Sequence, residues 1–175
     1  METRPNKGRY IARLGTSALE GMLTNILDLA DTSFESLMEL RAILEMFSAR
    51  LSAVRGDERQ KEEILAQFYR YRDKAEEGAD YVEEDMILHL KIARASHNPV
   101  LESMISLLIP DTIRLSLKYA DRNYRRGTEE HWNIVEAIGK GDPDAAFETM
   151  QSHMNNGFMR RFSGDLSILL TKMRS

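Results

Sequence analysis

Beyond Gly15, apolar residues return every three or four positions, and nearly every break in that rhythm carries the chemistry of a helix end. Thr32 with Glu35 forms a capping box ahead of a helix expected over about 33–54. Its apolar stripe runs Leu37, Leu40, Leu44, Phe47, Leu51 and Val54. Gly56-Asp57 opens the next helix, to about 77, and Asp80 with Glu83 caps the one after it. Asn98-Pro99 ends that helix and starts another, with Asn as the cap and Pro in the first turn. Thr128 is the expected cap of a helix reaching Ile138. Gly139 to Pro143 is a tight break, and Asp142-Pro143 opens a last long helix. A shorter helix is expected near 17–30. The pattern predicts an all-α fold, an antiparallel bundle of six or seven helices.

Composition agrees. Gly and Pro number only 10 and 4, while Leu, Met, Ala, Glu and Arg are plentiful. A chain of 175 residues forms one domain of this kind with a real core. There is no cysteine, which excludes disulfides and thiolate metal sites and is compatible with a reducing cytoplasm. No apolar run approaches the roughly 18 residues of a membrane span, so no membrane partner is expected. The net charge of −4 argues against holding a polyanion by bulk electrostatics.

The N-terminal stretch METRPNKGRYIARL differs from the rest. It is basic, has a turn signal at Pro5 to Gly8, and ends on a β-prone Tyr10-Ile11 pair. A short hairpin arm or a disordered tail both fit.

Three of the four histidines sit on core-facing stripes of three different helices. His89 lies with Asp85, Leu88 and Ile92; His131 with Ile134, Val135 and Ile138; His153 with Ala146 and Met150. Each buried polar group needs a partner. Either each histidine bonds to a neighbour of its own, or one divalent metal satisfies them together. Asp85 and His89, at i and i+4, lie on one helix face, and imidazole with carboxylate suits Zn, Ni, Fe, Co or Mn. No His-Glu-x-x-His motif, no paired Glu-x-x-His and no evident nucleophile accompanies them. A three-His, one-Asp set fits the binding of a small anion at open positions as well as it fits catalysis.

Arg41 is a second anomaly, placed at the edge of an apolar stripe. It either pairs with Glu45 at i+4 or snorkels, or it grips a ligand carboxylate with two parallel hydrogen bonds. Arg114 is a weaker second candidate for ligand binding.

Four ordered motifs, MELRAILE (38–45), DMILH (85–89) with IARASHNPVL (92–101), EEHWNIVEAI (129–138), and GDPDAAF (141–147) with MQSHM (150–154), resemble the FCD domain. That is the C-terminal effector-binding domain of GntR-type transcriptional regulators of the FadR subfamily. The resemblance covers roughly 17–160. It implies a helical bundle in which Asp85, His89, His131 and His153 bind one divalent ion, zinc foremost. It further implies a small organic acid effector, such as a sugar acid or hydroxy acid, beside or on the metal, with Arg41 facing the pocket. A homodimer is implied as well. One position departs from the family pattern: the residue before Asn98, often small there, is His97. On the same resemblance residues 1–14 look like the remnant of a winged-helix wing or linker arm, and 15–175 form the sensing domain. Specific DNA contact would then belong to a winged-helix domain absent from this chain. Two other functions compete with effector sensing: a metal-dependent lyase or isomerase of hydroxy acids, and a metal-free dimerisation module.

Overall fold

The structure, a computed structural model, describes residues 2–4, 7–10, 21, 34–119 and 124–157, with side chains at 36–109 and 125–156. The described residues form a short hairpin and six helices. Strands β1 (Glu2–Arg4) and β2 (Lys7–Tyr10) pair antiparallel, Arg4 opposite Lys7, as the expected hairpin arm requires; Pro5 and Asn6 of the turn signal lie outside the described residues. The helices are α1 (Phe34–Arg55), α2 (Glu58–Glu76), α3 (Val82–Ala95), α4 (Pro99–Tyr119), α5 (Tyr124–Lys140) and α6 (Pro143–Gly157). Helix α2 packs on α3, α3 on α4, and α5 on α6, giving the expected all-α bundle. Of the expected helix near 17–30 only Gly21, a helical residue, is described, and the Thr32–Glu35 capping contacts lie outside the described residues. Among the described residues no helix is long and apolar enough to cross a membrane.

Local chemistry explains most helix ends. Asp57 Oδ1 accepts from the Gln60 amide at 2.8 Å while Gln60 Oε1 accepts from the Asp57 amide at 3.1 Å, a complete capping box. Asn98 Oδ1 accepts from the amides of Val100 and Leu101, and Asp142 Oδ1 from those of Asp144 and Ala145. His97, just past α3, has a φ of 51°, in the left-handed region where a side chain is unfavourable. Here the imidazole Nε2 makes a 2.8 Å hydrogen bond to Gln60 Oε1. Gly141, at φ 70°, turns the chain between α5 and α6, and the break is confined to Gly141-Asp142 because α5 runs through Lys140.

Two expected caps are corrected. Thr128 lies inside α5, not at its start, since the helix begins at Tyr124. The Thr128 hydroxyl is instead engaged with that of Tyr71 on α2. A Cβ at neighbouring Gly127 would come within 3.1 Å of the Tyr71 hydroxyl, so the glycine permits this close helix contact. Asp80 does accept from the Val82 amide, at 3.0 Å, but the cap residue of α3 is Tyr81 and its side chain makes no capping bond.

Helix α1 is the central beam, packed on α3, α4, α5 and α6. Met38, Ala42, Met46, Ala49 and Ala53 on its buried face meet Leu88 and Ile92 of α3, Ile134 and Ile138 of α5, and Ala146 and Met150 of α6. A second cluster, around Ala93, Leu101, Ile105 and Ile109, joins α3 and α4 to Leu44, Phe47 and Leu51 of α1. The small residues of α1 let its neighbours approach closely. Three core faces, on α3, α5 and α6, thereby converge at one level of the bundle, and each carries a histidine.

Candidate metal centre

The three histidines meet. One ring nitrogen from each of His89, His131 and His153 lies within 4.8 Å of the others. The Nε2 atoms of His89 and His131 are 3.4 Å apart, and the His131 and His153 rings have centroids separated by 4.3 Å. Asp85, one turn before His89 on α3, brings Oδ1 to 2.9 Å from His131 Nε2 and 3.9 Å from His89 Nε2.

A set of partners outside this cluster fixes each ring. His89 Nδ1 donates to Glu45 Oε2 at 2.7 Å, His131 Nδ1 to the Gly127 carbonyl at 2.8 Å, and His153 Nδ1 to Glu130 Oε2 at 3.2 Å. A carbonyl or an ionised carboxylate only accepts, so each Nδ1 carries a proton and Nε2 is the ring nitrogen left to face the cluster. Burial would lower the His131 imidazole, but the Asp85 carboxylate 2.9 Å from its Nε2 raises it, favouring a second proton on that ring until a cation takes its place. The Nε2 atoms of His89 and His131 face each other across 3.4 Å, a spacing that calls for a proton or a cation between them.

Electrostatics point the same way. Burial would raise the Asp85 carboxyl, but His131, then His89 and His153, hold it well below the usual carboxylate range. Burial likewise opposes the charge on Glu45, yet His89 and Arg41 hold it down at about 2. Burial and the nearby His131 push His153 down to about 4. The centre thus keeps two buried carboxylates ionised beside imidazoles.

The residues fit a divalent ion. Asp85 Oδ1 is buried and has no hydrogen bond of sound geometry, despite its nearness to His131. It is an orphaned anionic oxygen of the kind a cation satisfies. Two nitrogens each about 2.05 Å from one tetrahedral ion sit about 3.4 Å apart, which is the His89–His131 separation. Nitrogen and oxygen donors without sulfur suit zinc and its first-row neighbours.

Arg41 is 3% exposed, and its Nε donates to Glu45 Oε1 at 3.0 Å. The i+4 pairing is therefore present, and this edge of the guanidinium, considered above for a ligand carboxylate, is engaged by a carboxylate of the protein itself. Arg114 lies on α4, but its side chain falls outside the described residues.

Sequence reasoning did not anticipate three members of the site. Glu45 entered it only as a partner for Arg41, and the Gly127 carbonyl has no side-chain signature. Glu130 precedes His131 and reads as one of two surface acids; it shares its carboxylate between His153 and Arg126, the latter at 2.9 Å. Tyr71 closes one flank, its ring centroid 4.6 Å from that of His131. Burial and the nearby Asp85 charge push its hydroxyl well above the ordinary tyrosine range, so it stays a neutral donor.

Comparison with known proteins adds the family. Residues 36–156 match the FCD domain. The chain is 29% identical over 157 residues to the putative L-lactate dehydrogenase operon regulatory protein of Escherichia coli, an alignment covering 84% of this chain and 59% of that protein. It is 25% identical over 163 residues to the HTH-type transcriptional regulator LutR of Bacillus subtilis, covering 89% and 74%. Among solved structures, Streptococcus agalactiae GntR superposes with a TM-score of 0.63 at 24% identity, over 87% of this chain and 71% of that one. The likeness to that structure is one of fold. The chain spans only about three fifths of the lactate operon regulator.

Proposed function

The chain belongs to the FCD domain family, and on that premise we propose that it is the metal-containing, effector-sensing domain of a GntR-type transcriptional regulator, with no catalytic role. Asp85, His89, His131 and His153 would hold one divalent ion, zinc foremost. The observation that carries this reading is the arrangement of the imidazoles: three Nδ1 protons engaged outward and the remaining nitrogens converging beside an orphaned Asp85 oxygen.

The ion supplies a Lewis-acidic point to which an anionic effector can bind. Around it the protein's own residues do the rest. Glu45, Gly127 and Glu130 fix the rings, and Tyr71 contributes a neutral hydroxyl. Among the described residues, no side chain beside the four proposed ligands stands ready as a nucleophile, which favours sensing over the rival lyase or isomerase reading. A small carboxylate is the proposed effector. A relative named for an L-lactate dehydrogenase operon makes hydroxy acids the first class to test, with sugar acids next. On sequence grounds Arg114 remains a candidate for the effector's carboxylate. The chain would act as a homodimer in which effector favours one arrangement of the two copies over another. Operator reading would belong to a separate winged-helix domain of such a regulator, to which strands β1 and β2 would be related.

A thermal-shift screen of the metal-loaded protein tests the effector class. A ligand that binds only the folded state stabilises it by about 2.7 kcal/mol at a hundred times its dissociation constant. At roughly 2–4 °C per kcal/mol for a chain of this size, the matching acid is expected to raise Tm by roughly 5–10 °C. Neutral sugars or alcohols of the same size should leave it nearly unmoved. Equal shifts from acids and their neutral counterparts would sink the anion reading, and turnover of any acid would restore the enzyme.

A further inference from the structure

We infer that Glu45 is a positioning residue for the metal ligand His89, and that Arg41 serves to hold the Glu45 carboxylate in place against it. The inference rests on the metal reading above and goes beyond it, since neither residue is in the proposed ligand set.

The three rings are not held alike. His131 leans on a backbone carbonyl, and His153 on a carboxylate that is partly exposed and shared with Arg126. His89 alone is held by a carboxylate with no exposure at all, at the shortest of the three distances. Both oxygens of that carboxylate are assigned: Oε2 to His89, Oε1 to Arg41. Arg41 and Glu45 sit one turn apart on the same face of α1, the helix packed on α3, α4, α5 and α6. His89 is thus braced against the central beam of the bundle.

Stability does not account for this pair. Two ions taken out of water lose more hydration than their attraction reliably returns, and apolar residues of similar volume serve a core as well or better. Glu45 cannot itself be a ligand in this arrangement, because it lies on the Nδ1 side of His89, away from the converging Nε2 atoms. What a carboxylate at Nδ1 does is fix the ring, fix the tautomer and increase the basicity of Nε2. Arg41 completes the device by holding the other oxygen of the Glu45 carboxylate.

The test uses the intact chain, stripped of metal and titrated with Co(II) as a spectroscopic probe and with Zn(II) against a chromophoric chelator. Two variants are compared with the wild type: Glu45→Gln, and the double variant Arg41→Met/Glu45→Gln. The double variant removes both charges of the buried pair together, so its fold is expected to survive better than that of a variant losing one partner alone. Its Zn(II) affinity is nonetheless expected to fall about 10- to 100-fold, as for loss of a supporting carboxylate, with a changed Co(II) absorption spectrum. A double variant with wild-type affinity and spectrum would show that the pair is structural only, and would overturn the inference.

Nitrogen-15 NMR of the zinc-loaded wild type gives an answer that needs no variant to fold. His89 is expected to carry a slowly exchanging, strongly deshielded Nδ1 proton with Nε2 on the metal. A His89 bound through Nδ1, or lacking that proton, overturns the inference while leaving the metal site standing. Failure of the wild type to bind either ion would remove the metal reading itself, and this inference with it.

Discussion

Chelation of the bound metal is expected to lower the melting temperature by roughly 8–16 °C. An ion held at about a thousand times its dissociation constant contributes about 4 kcal/mol to the folded state. For a chain of 150–250 residues each kcal/mol corresponds to roughly 2–4 °C. The physical source is specific. Without the ion, Asp85 Oδ1 is left buried and poorly bonded, and the Nε2 atoms of His89 and His131 face one another at 3.4 Å. Thermal unfolding followed by circular dichroism, before and after treatment with a chelator, reads the shift directly. Restoring zinc should restore the original value. A melting temperature indifferent to chelator and to added zinc would mean that the histidines are satisfied by one another and by Asp85.

Arg41→Ala is expected to cost about 3–5 kcal/mol, the penalty for removing one partner of a buried ion pair. Glu45, which has no exposure, would lose the cation that compensates it and keep only the His89 imidazole. Arg50→Ala on the same helix provides the control. Arg50 also makes a close pair, 2.6 Å to Asp144, but those side chains are 40% and 76% exposed. Exposed pairs of this kind are worth at most about 1 kcal/mol. Urea unfolding of the two variants should therefore differ several-fold in the loss of stability. Similar losses would show that the Arg41–Glu45 pair is no more committed to the core than a surface contact.

Most of the bundle was legible in the sequence because helix ends are written locally. Asp57, Asn98 and Asp142 each cap with their own side chain, within three residues of the amide they bond. Thr128 carries the same local signal and misleads, because its hydroxyl is engaged by Tyr71, a residue 57 positions earlier on another helix. The histidines were legible for a different reason. An imidazole on an apolar stripe is a conflict between local pattern and burial, and three such conflicts on three helices call for a common resolution. The partners of those rings were not legible. Glu45 reaches His89 across 44 residues of chain, Gly127 offers only its backbone, and Glu130 looks like any acid at the start of an exposed helical turn. Each depends on how the helices pack, which periodicity does not specify.

The metal content of the protein tests the central claim most directly. Elemental analysis of wild-type chain purified without chelator is expected to show about one divalent ion per chain, with His131→Ala and His153→Ala each folded but losing it. Stoichiometric metal retained by either variant, or a wild type that carries none and takes up none when zinc is supplied, would contradict the four-residue centre of Asp85, His89, His131 and His153.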